Sequence, residues 1–367
     1  MTKHYLDASG QWKSERNFAL QHRTTMHDYR RPGIYMITLC TNNRHPLFGR
    51  LLTPQNTVEP TPIGQLVLQE WQQLSVHTPS ISILDYQLMP DHLHGILKVE
   101  APLDRPLGHI IRSFKMRCTS LYRALMHDDS PLPMPQEGKA SLSITQRRQV
   151  ATRSLWSPNY NDRIAHTHRR LETLRAYIHD NPRRLALKKQ HPEYFALMRD
   201  LTIPISDALL HFTAMGNREL LKAQHKQVIQ CSRALTNGLH EEEYRALKHD
   251  KTTLASSGYV SVSAAISKGE QQICRSIREQ GFPLIILMKD GFPAPVDPHS
   301  KYYKPGGVLF EACAKGQLLL LEPTIDCFEI PDVADAVYRK SPMASPDSDR
   351  YRFLALNKMA DLLVSKI

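Results

Sequence analysis

No stretch of the 367-residue sequence approaches the ~20 consecutive apolar residues of a membrane span, so no membrane partner is expected. The first residues, Met1-Thr2-Lys3-His4-Tyr5-Leu6, lack the apolar core of a signal peptide, and a cytoplasmic location is expected. Cysteine is scarce and scattered: Cys40, Cys118, Cys231, Cys274, Cys313 and Cys327 form no C-x-x-C pair. That excludes a zinc knuckle and gives no disulfide framework, leaving reduced, buried thiols as the expectation. Neither G-x-G-x-x-G nor G-x-x-x-x-G-K-[ST] is present, and no internal repeat is evident.

What the chain does have is length, enough for two hydrophobic cores, and an uneven charge. Residues 1–200 hold 27 Lys and Arg against 17 Asp and Glu, whereas the remaining residues hold 20 against 19. Thirteen of the 18 histidines also fall in the first part. A basic half joined to a neutral half suggests a polyanionic partner for the first, although mildly basic domains also occur without one.

Hydrophobic patterning divides the chain in the same place. In residues 1–200, after a polar, irregular stretch over 1–32, Ile34 to Thr41 reads as a buried strand. Ile63 to Leu74 has helical spacing, with Gly64 weakening its first turn. Ile81 to Leu88 and His92 to Val99 read as two strands broken by Met89-Pro90-Asp91. Leu107 to Met126 is an amphipathic helix, 128–150 a loop-like insertion, and Leu155 to Ile164 an extended segment. His168 to Ile178 is a helix that Asn181-Pro182 should end, because the residue before proline avoids helical geometry. The order predicts an α+β, ferredoxin-like antiparallel sheet with helices on one side.

Beyond about residue 200 the pattern predicts a helical stretch over Ala208 to Leu239. Strands are expected at Tyr259 to Ser263, Pro283 to Met288 and Leu318 to Leu321, with helices at Gln271 to Gln280 and Leu309 to Ala314. Solidly apolar strands alternating with helices indicate a parallel sheet covered on both faces. A second, α/β domain is therefore placed at 205–367.

Two local features carry chemistry. In Pro90-Asp91-His92-Leu93-His94-Gly95, residues i and i+2 of a strand share a face, so His92 and His94 project together and can grip one divalent ion. Two surface histidines on a half-buried strand would show the same pattern. Tyr177 and Asn181 lie four apart on a helix and also share a face. Their phenol and carboxamide can serve as nucleophile and hard metal ligand, or as a packing tyrosine and a helix-end Asn.

Five ordered segments tie these features together. They are Thr38-Leu39-Cys40-Thr41-Asn42-Asn43-Arg44, Leu88 to Ile96, Ser113-Phe114-Lys115, Leu155 to Arg163, and Tyr177-Ile178-His179-Asp180-Asn181-Pro182. Residues 34–195 so resemble the single-tyrosine transposases with a His-hydrophobic-His metal site, in particular the REP-associated tyrosine transposases. The resemblance implies that His92, His94 and Asn181 hold Mg²⁺ or Mn²⁺. It implies Tyr177 as the nucleophile, leaving a 5′-phosphotyrosine, and single-stranded, hairpin-containing DNA as the partner. Asp91 stands where many relatives carry Asn or Glu.

Near these motifs Arg44, Arg112, Lys115, Arg117, Arg163, Arg169, Arg170, Arg183 and Arg184 are candidate phosphate contacts. Trp156 and Tyr160 are candidates for stacking on bases, with core packing the other reading of Trp156. The alternative to a metal-dependent DNA nickase and rejoiner is a non-catalytic DNA-binding regulator that keeps the fold. The second domain weakly resembles Rossmann-like folds such as those of the DNA-processing protein A group. Ser267-Lys268-Gly269-Glu270 and Lys304-Pro305-Gly306-Gly307 are its candidate anion-binding turns. Oligomeric state is not legible.

Overall fold

The computed structural model describes residues 4–6, 12–14, 27–126, 154–205, 208–236, 240–292 and 307–365. The expected insertion at 128–150 and most of the turn at 304–307 lie outside the described residues. By its contacts the chain forms two compact units, residues 22–187 and residues 188–367 together with 1–21.

A short antiparallel ladder joins His4–Leu6 (β1) to Trp12–Ser14 (β2) in the second of these units. The unit of residues 22–187 then runs Gly33–Cys40 (β3), the hairpin Gly49–Leu52 (β4) and Thr57–Pro60 (β5), Pro62–Gln72 (α1) and Leu74–His77 (α2). It continues with Ile81–Met89 (β6), His92–Val99 (β7), Leu107–Leu125 (α3), Asn161–Ala165 (β8) and His168–Gln190 (α4). The main sheet has the order β6-β7-β3-β8, and every pair in it is antiparallel.

Alternation along these strands makes two apolar faces. Tyr35, Ile37, Leu39, Leu93 and Leu97 pack with Trp71 of α1 and Ile111 and Phe114 of α3. Met36, Ile96 and Ala165 pack with Leu171, Leu174 and Ile178 of α4. Helices therefore cover both faces, not one as the sequence suggested: α4 has its own apolar stripe and takes the face that α1 and α3 leave open. Gly64 sits in the first turn of α1 because a Cβ there would lie 1.9 Å from the Phe48 carbonyl oxygen.

The helix α4 does not stop at Pro182. It continues to Gln190 with the proline inside and buried. Proline removes one main-chain donor from the turn. The Asn181 side-chain Nδ2 donates to the Tyr177 carbonyl at 3.0 Å in that same turn, and the buried face of Ile178, Pro182 and Ala186 keeps the helix against its core. Packing thus outweighs the local breaker.

The other unit adds Pro192–Phe195 (α5), Met198–Ile205 (β9), Ala208–Gly216 (β10), Lys226–Val228 (β11), Glu241–Ser256 (α6), Val260–Ser263 (β12) and Lys268–Glu279 (α7). Leu284–Leu287 (β13), Gly307–Ala314 (α8), Leu318–Pro323 (β14), Pro331–Lys340 (α9) and Asp349–Ser365 (α10) complete it. Its sheet has the order β11-β12-β13-β14-β10-β9. The first four strands are parallel; β10 and β9 join antiparallel. The sheet is thus mixed. The stretch expected to be helical from Ala208 is β10 followed by short 3-10 turns and β11. Its Ala, Leu and Met favour helix locally, but β10 lies between β9 and β14 with Leu210, Phe212, Ala214 and Met215 buried, and the pairing decides.

The helix start at Ser267 is already occupied. Glu270, 2% exposed, accepts from the main-chain N–H groups of Cys231 at 3.1 Å, Ile266 at 2.7 Å and Ser267 at 3.3 Å. The chain's own carboxylate fills the place expected for an external anion.

Candidate active site

The register of the four-stranded sheet assembles the site. Directly opposed residues share a face, so Gln87, His94, Thr38 and Asn161 form one row across β6, β7, β3 and β8. The neighbouring row holds Asp85, Ile96, Met36 and Arg163, and His92 lies opposite Cys40 and Met89. All are on the face covered by α4, while Leu93 is fully buried in the opposite core.

The two imidazoles meet at the end of β7. Their Nε2 atoms are 3.1 Å apart and the rings are nearly perpendicular, at 84°. His92 Nδ1 lies 2.5 Å from Asp91 Oδ1, and His94 Nδ1 lies 2.8 Å from Thr38 Oγ1. These partners set the protons. A carboxylate can only accept, so His92 carries its proton on Nδ1 and presents the Nε2 lone pair. Thr38 can donate to His94 Nδ1, in which case His94 Nε2–H donates to His92. It can equally accept from Nδ1–H, which leaves both Nε2 lone pairs facing one point.

That donor set fits a divalent cation. Metal–nitrogen bonds of about 2.1 Å at a right angle put adjacent ligand atoms about 3 Å apart, as these nitrogens are. The outer nitrogen of each ring is held by a carboxylate or hydroxyl, the usual support for a metal-binding imidazole. Among the described residues no three His, Cys, Asp or Glu side chains cluster as a metal site.

Asp91 is set from both sides. Burial would raise its pKa, but the hydrogen bond and charge of His92 and the Arg44 guanidinium at 3.2 Å hold it below the usual carboxylate range. Arg44 reaches Asp91 from a turn after β3 in which Asn43 and Arg44 both take left-handed backbone, with φ of 52° and 57°. Such conformations cost free energy for residues with a side chain and persist where surrounding contacts require them.

From the other side α4 brings Tyr177. Its ring is edge-on to His94 with centroids 5.7 Å apart. The Arg163 and Arg184 guanidiniums stand 5.7 Å and 6.0 Å from the phenol centroid. Asp85, at a bulge in β6, ties the same helix down: His179 Nε2 is 2.9 Å and Arg175 Nε 3.7 Å from its Oδ2.

No family model matches the chain. An uncharacterized protein of Haemophilus influenzae is 25% identical over 182 residues, which span 45% of this chain and 91% of that protein. Among solved structures, a REP-associated tyrosine transposase bound to a REP hairpin shares 16% identity with a TM-score of 0.29, over 45% of this chain and 74% of its own. A putative transposase from Deinococcus radiodurans shares 14% with a TM-score of 0.25, over 42% of this chain and 95% of its own. Among the described residues no helix is long and apolar enough to cross a membrane.

The structure brings His92, His94 and Tyr177 together and keeps Asn181 one turn on from the phenol. Arg163 stands at Tyr177. The remaining expected DNA contacts are placed differently. Arg44 supports Asp91, and Arg183 is held by Asp180 at 2.6 Å and 3.1 Å. The Lys115 ammonium is held by the carbonyls of Ser157 at 2.7 Å and Asn159 at 2.9 Å, securing the turn before β8. Trp156, 2% exposed, is packed against Phe48 and Phe114 and belongs to the core instead of stacking on bases. Tyr160 packs on the same core. Arg112 lies on α3, in the layer on the opposite face of the sheet from the histidines. Reading the sequence alone missed Thr38 and Asp85. Thr38 is the polar residue in an otherwise apolar strand and would have been the signal; Asp85 needed the bulge to be known.

Proposed function

We propose that the unit of residues 22–187 is a metal-dependent endonuclease of the transposase type, cutting and rejoining single-stranded DNA through a 5′-phosphotyrosine. The observation that carries this reading is the edge of Tyr177 set against His94 beside the paired Nε2 atoms, 3.1 Å apart. A packing tyrosine and two unrelated surface histidines have no reason to converge. The βαββαβ succession, with the first of its four strands in sequence inside and the last at the edge, supports a ferredoxin-like sandwich.

His92, His94 and Asn181 would hold a Mg²⁺ or Mn²⁺ ion, which supplies Lewis-acid relief of charge on the scissile phosphate. Tyr177 gives up its phenolic proton to solvent and its oxygen attacks phosphorus. The P–O3′ bond breaks, the departing 3′-oxygen takes a proton, and the 5′-phosphate stays on Tyr177. Arg163 and Arg184, beside the phenol, offset the phosphate charge. Because the phosphoryl bond is conserved on tyrosine, attack by another 3′-hydroxyl reverses the step and joins strands without ATP. Hairpin-containing single strands are the proposed substrate, in the cytoplasm. The parallel run β11 to β14 with intervening helices supports a Rossmann-like reading of the second domain, placed at 205–367 against a first domain of 1–200.

The test is a covalent adduct. The full chain, end-labelled single-stranded hairpin DNA and Mn²⁺ should give a protein-linked label on a denaturing gel. Tyr177→Phe should bind the DNA and form no adduct, and His92→Ala with His94→Ala should form none even in excess Mn²⁺. An adduct that survives Tyr177→Phe overturns the nucleophile, and metal-dependent nicking by the double His variant overturns the metal site.

A further inference from the structure

A second cationic site lies in the layer away from the histidines. A cleft of about 390 Å³ opens between the end of α2 and one stripe of α3. His109, Arg112, Ser113 and Met116 follow helical spacing along that stripe, since residues three and four apart share a face. Arg105 enters from the segment before the helix and His77 from the end of α2. The floor is apolar: Leu74 is fully buried. Met116, 63% exposed, forms part of the wall.

Among the described residues the charge of this cleft is only partly paired. Arg117 at its margin is paired with Glu70 at 2.8 Å. Arg105 and Arg112 are both exposed, and no carboxylate among the described residues lies within ion-pair distance of either. Two guanidiniums with no carboxylate partner among the described residues, beside two imidazoles and a hydroxyl, make a wall of donors for an anion. Its extent argues against a single small ion. From His109 to Ser113 the donor-bearing part of the helix rises about 6 Å, whereas each strand of DNA carries a phosphate per about 3.4 Å of helix axis. Two successive phosphates match that length, with Arg105 extending the row beyond the helix.

We propose that this cleft is a second nucleic-acid contact, in which Arg105 and Arg112 bind the phosphodiester backbone of DNA away from the Tyr177 face. It rests on the nuclease reading only in naming DNA as the polyanion. Such a contact would position substrate without touching the bond that is cut, since phosphate contacts fix register and carry no chemistry of their own.

Binding of a fluorescent hairpin oligonucleotide by the full chain, in EDTA and across a NaCl series, tests it. Arg105→Gln with Arg112→Gln should weaken binding about tenfold or more near 0.1 M salt, and flatten the slope of log K against log salt by about two. Each single variant should flatten it by about one, and Arg105→Lys with Arg112→Lys should keep the parent slope. Should the double Gln variant fold poorly, the single variants give the reading. Unchanged affinity and slope in the Gln variants overturn the proposal. So does a deoxynucleoside triphosphate that raises the parent Tm through Arg105 and Arg112 while the DNA slope stays fixed, since that marks a free-nucleotide site. With no metal present the measurement is independent of Tyr177 chemistry. A parent chain that forms no adduct but shows the Arg-dependent slope removes the nuclease reading and leaves the cleft standing.

Discussion

Thr38 Oγ1 lies 2.8 Å from His94 Nδ1, and this one hydroxyl decides what His94 offers on its other nitrogen. When Thr38 donates, His94 Nε2 carries a proton and turns it toward His92. When Thr38 accepts, both Nε2 atoms turn lone pairs toward one another. Asp91 leaves His92 no such choice. The pair therefore combines one imidazole with a fixed tautomer and one with an adaptable tautomer, and the adaptable one depends on a group that both donates and accepts.

Thr38→Val should separate that role from packing. Valine keeps the shape and removes the hydroxyl, so His94 loses the partner of Nδ1. Loss of such an outer partner typically weakens metal binding about 10–100-fold. Thr38→Ser should restore it. Mn²⁺ affinity, followed by titration calorimetry alongside the Tm of each variant, is the measurement. Equal Mn²⁺ affinity for the parent and Thr38→Val would remove Thr38 from the site.

Much of this site is legible in the chain, for a physical reason. Strand period fixes that His92 and His94 share a face, helix period fixes that Tyr177 and Asn181 share one, and neither depends on the rest of the fold. What joins the two pairs is long-range. Which strand lies beside His94, and so whether Thr38 reaches it, follows from the register of β3 against β7. The second helical layer was not foreseen: the sequence reading put the helices on one side, whereas the apolar stripe of α4 takes the other face. Pro182 and the β10 stretch were misread for one reason: a local preference worth about 1–3 kcal/mol is overridden by burial of a whole face. Trp156 shows the converse. An aromatic in a motif looks like a ligand platform until its burial is known.

Gly95 follows His94, and its backbone is where β7 meets α1. A Cβ at this position would lie 1.9 Å from Cζ2 of Trp71, which is itself fully buried. Trp71 cannot yield easily, because its ring is also packed edge-on against Phe114 at 5.3 Å. Gly95→Ala should therefore cost about 1–3 kcal/mol of stability through overpacking, and disturb the neighbouring His94. Urea denaturation followed by tryptophan fluorescence measures the cost. A variant as stable as the parent would show that α1 can shift away from the sheet at no cost.

Lys115 carries the pH dependence with the clearest sign. Burial lowers its pKa to about 8 from an ordinary value of 10.5. The group is protonated in both states below the folded value and neutral in both above the unfolded one. Between them the unfolded chain holds a proton that the folded chain has released, so stability rises with pH across this window. The destabilisation from burying the ammonium is thus fully present below about 8 and fades toward 10.5. A neutral amine still donates to the Ser157 and Asn159 carbonyls, so the turn before β8 stays held as the charge is lost. Lys115→Met removes both the titration and the two hydrogen bonds. The raised pKa values of the buried cysteines, Cys274 and Cys327 among them, act alike on both chains and cancel in the comparison, so the stability of the parent minus that of the variant should rise with pH across this window. Urea midpoints read from Trp71 and Trp156 fluorescence at intervals from pH 7 to about pH 10 give the comparison. Parallel curves for parent and variant would show that Lys115 keeps its ordinary proton affinity in the folded chain and that the ammonium is not desolvated by its place beneath the site.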